Sequence, residues 1–342
     1  MKRSHLFLFA GVFAALIPVT RSAQTTASTI PEGLMVADLP VGNSALAFPL
    51  IAGEVFVGTI ASNTSSALTF AKGAIGTRLT ASEKYYVEVQ TGPFAGDRFD
   101  LDTAATITGP AAILDLSAGS ASTLSALATD VLAGARGAVR PRITLAKIAA
   151  MLSPALVGNN SSALADCIQV FSNGVFVTYY LRADGQTWRE PGKLVDERNR
   201  VIPPDRGVIV QLRSGAKRWT HQGRIRNNAF HVVLSAGSQA FATGYPLDMS
   251  PAEIVARVDT NQPAGRRWVG SNTLTAADTL KIYDASTGTF QTYYLRADGV
   301  SWCSSAAASD FSTTALLPAV GMILLTRANP DSDYLILPSF SL

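Results

Sequence analysis

The chain has 342 residues, 47% of them hydrophobic and 15% charged, with 28 Lys and Arg against 25 Asp and Glu. Lys2, Arg3 and Arg21 are the cations of the first 23 residues, which hold no acid, so the remainder balances at 25 against 25. That neutrality excludes the basic footprint of a nucleic-acid binder, and the length supplies core for two or three domains.

The first element in chain order is an export signal, predicted over residues 1–23. Met1-Lys2-Arg3 is a positive n-region, Leu6 to Val19 an apolar run of 14 residues, and Thr20 to Gln24 a small and polar stretch. The run is shorter than the about 20 residues that span a bilayer. Cleavage is therefore expected after Ala23, or after Ala27 with Thr25 at the −3 position; a short buried strand or an uncleaved anchor are the alternatives. The mature chain is expected to begin near residue 24 and to work in the periplasm, at the cell surface or in the medium. No second long apolar segment follows, so no transmembrane segment is expected in it.

Strands dominate the rest. Ser44–Leu50, Glu54–Ile60 and Ala67–Phe70 read as strands. Tyr85–Gln90 alternates, Thr91–Gly96 turns, and Arg98–Leu101 returns, which predicts a hairpin. Short helices are predicted over Thr123–Leu132 and Leu145–Leu152, the second capped by Thr144. Ser250-Pro251-Ala252-Glu253 is a capping box that opens a third. Arg136, Arg140 and Arg142, and farther on Arg224, Arg226, Arg266 and Arg267, are interspersed with acids and read as solvated faces.

The strongest signal is an internal repeat. Phe176–Trp188 and Phe290–Trp302 agree at ten of thirteen positions, sharing Thr-Tyr-Tyr-Leu-Arg-Ala-Asp-Gly. Upstream, Ala165-Asp166 and Ile168–Phe171 match Ala277-Asp278 and Leu280–Tyr283. Downstream, Pro204–Val210 is paired with Pro318–Leu324. In strand geometry Phe176, Thr178, Tyr180 and Arg182 face one side, and Val177, Tyr179 and Leu181 the other. Asp184-Gly185 and Asp298-Gly299 are expected to form type I′ turns, with Trp188 and Trp302 on the returning strands.

Leu39–Leu50 also resembles Leu234–Leu247, so each copy is expected to start there. Pro49 and Asp166 are 117 positions apart, whereas Pro246 and Asp278 are 32 apart. The expected class is mainly β with a few short helices: duplicated antiparallel β-units, as a sandwich or small barrel, the first carrying an inserted β-subdomain. Residues 33–53 and 141–226 would form the first unit, 54–140 the insertion, and 230–342 the second unit. The helix at Thr144 would be the counterpart of that at Ser250.

This pattern of Phe-x-Thr-Tyr-Tyr-Leu, a turn, a Trp, then Pro-x-x-Gly and an apolar strand resembles a conserved hypothetical family of exported bacterial proteins of verrucomicrobial type. Leu46–Leu50, Tyr85–Phe99, Arg140–Thr144, Asn227–Phe230 and Gly244–Leu247 fit it too, so the resemblance covers most of the mature chain. It implies an exported protein built of β-hairpins. Its motifs name no chemistry, the family has no assigned activity, and no site residue carries over.

Candidate functional residues are few. Tyr179, Trp188, Tyr293 and Trp302 could stack on sugar rings, although large aromatics more often fill cores. His221, read in a turn, and His231, at the start of a strand, are the histidines left after signal removal, and a Ser-His-Asp or Cys-His site would need one of them. Asp97, Asp100 and Asp102 are candidates for a calcium site, as are Asp331 and Asp333, but neither group has a Gly-punctuated ligand loop. Cys167 and Cys303 could form a disulfide in an exported protein or remain buried thiols. Without GxSxG, GxxxxGK[ST] or a strand followed by GxGxxG, no cofactor is expected. A pair of carboxylates for glycoside hydrolysis stays open. Two functions are expected: a non-enzymatic structural or interaction protein of the envelope or extracellular space, with a protein or glycan partner, or a carbohydrate-binding or polysaccharide-acting protein. Burial of Trp188 and Trp302 separates them.

Overall fold

A computed structural model describes residues 32–342 apart from 118–126, 204, 227, 229, 235–236, 256–267, 285, 329–332 and 338–342. The export signal with both cleavage positions, Pro204, Arg266, Arg267, Asp331 and the first half of the helix expected at Thr123 lie outside the described residues.

The protein is mainly β, with three short α-helices at Thr103–Thr108, Leu145–Ala150 and Pro251–Val255 among the described residues. One sheet carries, in spatial order, Trp188–Arg189, Val175–Leu181, Cys167–Ser172, Val208–Leu212 and Gly42–Leu46. A second runs Trp302–Ser304, Thr289–Leu295, Thr279–Asp284, Ile323–Arg327 and Gly237–Phe241, with Ala307–Asp310 added beyond Trp302–Ser304. The order is the same and every neighbour is antiparallel. Each copy also has a ribbon, Glu32–Leu39 with Lys217–Arg224 and Phe230–Leu234 with Asp333–Leu337, the first extended by Leu152–Ser153 on the far side of Lys217–Arg224. Leu39 faces Lys217 as Leu234 faces Asp333.

Each sheet buries one face. Val177, Tyr179 and Leu181 pack with Phe48, Ile168, Trp188, Val210 and Trp219. Phe241, Leu280, Leu295, Trp302, Ile323 and Leu325 form the second core. The other faces meet between the copies: Ile209 packs with Ala240, Met322 and Leu324, joined by Phe171, Phe176 and Phe290. The alternation expected along Val175–Leu181 thus separates a core face from a face between the copies. The contact is reciprocal, because Ala47 N–H donates to Val320 C=O at 2.6 Å and Ala242 N–H to Asp205 C=O at 2.9 Å.

Three details differ from the sequence reading. Val210 and Leu325 hold equivalent places, opposite Ile168 and Leu280. Pairing Pro204–Val210 with Pro318–Leu324 is therefore one residue out, and Pro203 is the counterpart of Pro318. A slip of one would turn every side chain of this strand to the wrong face. The Asp-Gly turns are not type I′ either. Gly185 N–H bonds Arg182 C=O and Gly299 N–H bonds Arg296 C=O, both at 2.9 Å, and only the glycines have positive φ, +69° and +72°. The type I′ pair is Asn173-Gly174, at φ 51° and 82°, closing the hairpin where Ser172 faces Val175. Finally, residues 129–134 form turns, so the described part of the helix expected over Thr123–Leu132 is not helical, with Asp130 at φ 60° and Gly134 at φ 83°.

The other helices follow their caps. Thr144 Oγ1 accepts from Lys147 N–H at 3.4 Å. The Glu253 carboxylate accepts from Ser250 N–H at 2.7 Å and from its hydroxyl at 2.9 Å. Ile143 faces Ile202 before the first of these helices, and Met249 faces Leu317 before the second, so the two helices are counterparts.

The segment ahead of the first of these helices makes its own sheet, in the order Arg98–Asp100, Tyr85–Val89, Arg136–Pro141, Phe56–Asn63, Ala67–Phe70, Ala112–Ile113. The hairpin expected at Tyr85–Leu101 is there, with Val87 opposite Phe99. This body has a separate core around Ile60, Leu68, Val87, Phe99, Leu101 and Val139.

Candidate functional site: a buried charge seam

Arg98, Arg140, Arg142 and Arg226 are each no more than 2% exposed, and all four contribute to one charged seam. It lies where the inserted sheet meets the two copies. Glu88 sits in the fully buried strand Tyr85–Val89. It takes Arg140 Nε at 3.0 Å from the neighbouring strand and pairs with Arg226 from beyond the ribbon strand Lys217–Arg224. Arg140 also reaches Glu54 at 3.1 Å and Ala52 C=O at 2.7 Å, and Glu54 pairs with Arg224. Arg142 pairs with Asp100, and its guanidinium lies 4.0 Å from the Tyr86 ring centroid. Arg98 reaches Asp205 of the first copy at 3.3 Å and His231 C=O of the second at 3.0 Å. Asp97 takes His231 Nδ1 at 2.9 Å.

Burial pushes the Arg140, Arg142 and Arg226 guanidinium groups down from their ordinary value, for Arg142 against the pull of Asp100 and Tyr86. Burial also opposes ionisation of Asp205, but Arg98 and Arg206 overcome it and hold its carboxyl below the ordinary range. Charges in such a place are tolerable only as partners of one another. Arg140, Arg142 and Arg226 are accordingly not solvated faces, as their spacing suggested, but buried partners of Glu54, Glu88 and Asp100 in the inserted segment.

The acidic cluster is absorbed in the same way. Asp97 faces His231, Asp100 faces Arg142, and Asp102 caps the helix Thr103–Thr108 by accepting from Ala105 N–H at 3.1 Å. Among the described residues no three His, Cys, Asp or Glu side chains converge as a metal site. His221 lies within the strand Lys217–Arg224 rather than in a turn. Its Nε2 is 3.0 Å from Leu50 C=O and its ring stacks on Trp219 at 5.6 Å, and burial pushes the imidazole down, toward the neutral form.

The aromatic platform is overturned as well. Tyr179, Trp188 and Trp302 are 3%, 1% and 0% exposed, the last edge-on to Trp268 at 5.8 Å. Tyr293 is half-buried, 5.4 Å from Phe311. The hairpins aim Tyr179, Trp188 and Trp302 into the two cores, where no sugar face reaches them, and Tyr293 packs against the edge of the second core. Cys167 and Cys303 are buried free thiols on different sheets, so the disulfide is not formed. Burial pushes the Cys167 thiol up. A cleft of about 310 Å³ beside Thr91, Phe94 and Leu132 is lined without any titratable side chain.

The repeat contains one construction that sequence reading passed over. Val157-Gly158-Asn159-Asn160-Ser161 matches Val269-Gly270-Ser271-Asn272-Thr273. In each copy the fully buried aspartate of the Ala-Asp pair anchors this loop. Asp166 accepts from Val157 N–H at 2.8 Å and Arg213 N–H at 2.7 Å; Asp278 accepts from Val269 N–H at 3.0 Å and Ala328 N–H at 2.6 Å. The glycine then passes under the Asp-Gly hairpin so closely that a Cβ would lie 1.9 Å from Arg182 C=O or 2.0 Å from Arg296 C=O. The shared Val-Gly-x-Asn was the available signal.

Compared with known proteins, the chain matches no family model, and no curated protein or solved structure is significantly similar to it.

Proposed function

We propose that this is a non-enzymatic exported protein that serves the cell envelope or extracellular space as a structural or interaction module. The observation that carries the reading is the buried seam: the histidines, the Asp97–Asp102 cluster and Arg98, Arg140, Arg142 and Arg226 are spent on joining the β-bodies or on capping and packing them. Burial of Trp188, Trp302 and Tyr179 weighs against the carbohydrate-binding reading. The three-part N-terminal pattern and the resemblance to exported bacterial β-proteins support export.

A pull-down from envelope extracts, run beside a glycan array, tests the function. Retention of a specific envelope protein with a blank array supports the reading; saturable glycan binding and no protein partner overturns it. Intact mass of exported material tests the route. The expected chain starts near residue 24, and retention of Met1 would show that the signal is not removed.

A further inference from the structure

We propose that the outer edge of the Glu32–Leu39 strand is a strand-addition site for an extended segment of a partner protein, one with aliphatic side chains at alternate positions and Lys or Arg at its ends. The proposal rests on the reading of the chain as an interaction module and names where the partner binds.

Backbone parity shows that this edge faces outward. Thr220 N–H donates to Met151 C=O at 2.8 Å, and Arg224 exchanges bonds with Ile51 at 2.8 and 2.9 Å, so both turn away from the Glu32–Leu39 strand. Their partners across the ribbon are Val36 and Glu32. In an antiparallel pair such residues direct their own N–H and C=O to the opposite side. Glu32, Leu34, Val36 and Asp38 therefore present a row of backbone donors and acceptors, and no described residue bonds to that row.

The second copy shows what this edge accepts. Since Leu39 corresponds to Leu234, Val36 corresponds to His231. There the outward N–H donates to Gly96 C=O and the outward C=O accepts from Arg98, both at 3.0 Å. The inserted body supplies that cover from within the first copy. The second copy, with 32 positions where the first has 117, holds no such body to return the cover.

The exposed face fixes the partner's chemistry. Leu34 and Val36 are 63% and 41% exposed, and Glu32 and Asp38 flank them on the same face. An added strand sets its side chains beside these, so aliphatic residues in the middle and cations at the ends fit. A second copy fits badly, because the fully overlapping antiparallel register places Glu32 against Asp38 twice.

The test uses the full mature chain and a capped eight-residue peptide with Lys near both ends and Val alternating with Thr between them. Binding is followed by calorimetry and by amide exchange. The peptide is expected to bind and to protect the Val36 amide, and the same peptide with Glu for Lys to bind about tenfold more weakly. Val36→Pro removes an N–H that the ribbon does not use. The double variant Leu34→Lys, Val36→Lys keeps that N–H and repels the aliphatic row. Each is expected to lose binding about tenfold. Absence of peptide binding, binding by both variants as tight as by the unsubstituted protein, or protection at another strand overturns the site, as does self-association that Val36→Pro abolishes. If the envelope partner is still captured by the Val36→Pro protein, the interaction reading stands and this site for it falls.

Discussion

Glu88 and Arg226 form an ion pair across 138 positions of chain, and neither side chain is more than 2% exposed. Glu88 also holds Arg140, so one carboxylate neutralises two buried cations. Replacing it by Gln removes the carboxylate charge paired with Arg226 and one of the two carboxylates that hold Arg140. Glu88→Gln is expected to lower unfolding stability by about 3–5 kcal/mol, measured by urea denaturation. Glu83→Gln, which breaks the half-exposed pair with Lys147 at 3.0 Å, should cost no more than about 1 kcal/mol.

Gly158 and Gly270 should respond alike to alanine. Each Cβ would collide with a hairpin carbonyl, and backbone on both sides cannot yield easily. Gly158→Ala and Gly270→Ala are each expected to cost about 1–3 kcal/mol in thermal or urea unfolding. Gly53→Ala, whose Cβ would meet nothing nearer than Arg224 Nε at 3.8 Å, should stay within about 0.5 kcal/mol of wild type.

The two Asp-Gly hairpins predict a shared acid transition. Hydrogen bonds from Thr187 hold Asp184 at about 2, down from 3.8, and hydrogen bonds from Ser301 do the same for Asp298. A carboxylate with a depressed folded value adds stability that is complete above the unfolded value and disappears as pH falls through the folded one. Stability should therefore drop between about pH 4 and pH 2, and Asp184→Asn with Asp298→Asn should flatten that limb of the curve. Carboxyl titration followed by NMR gives the two values directly.

The buried thiols give a chemical readout. Cys167 and Cys303 should both be alkylated only after unfolding, and the intact mass under non-reducing conditions should correspond to two free thiols. For Cys167 the raised thiol pKa lowers the thiolate fraction further. Rapid labelling of the native protein would contradict the burial of these side chains.

Much of the fold could be read from hydrophobic alternation and from self-comparison. Ten shared positions in thirteen located the hairpin in both copies, and the unequal spacing before them located the inserted sheet. Register was harder. Two adjacent prolines, Pro203 and Pro204, gave two anchors for Pro318, and Gly207 and Gly321 made the wrong one attractive although they are not equivalent. The seam was hidden for another reason. Arg140, Arg142 and Arg226 look like surface until Glu88 is placed, and the clue was that a lone glutamate interrupts Tyr85-Tyr86-Val87 and Val89. A charge inside so apolar a strand needs a partner, but which cation supplies it depends on contacts 52 and 138 positions away.

Gly207 and Met322 are equivalent positions of the two copies, and they meet each other: a Cβ on Gly207 would lie 2.5 Å from that of Met322. They mark the point where the approximate symmetry axis crosses the chain. Two identical units joined there would oppose glycine to glycine, leaving a hole, or methionine to methionine, forcing a collision. With one of each, the single long side chain fills the shared space. The halves have become complementary at this point, so two first units would meet with a cavity there and two second units with a clash.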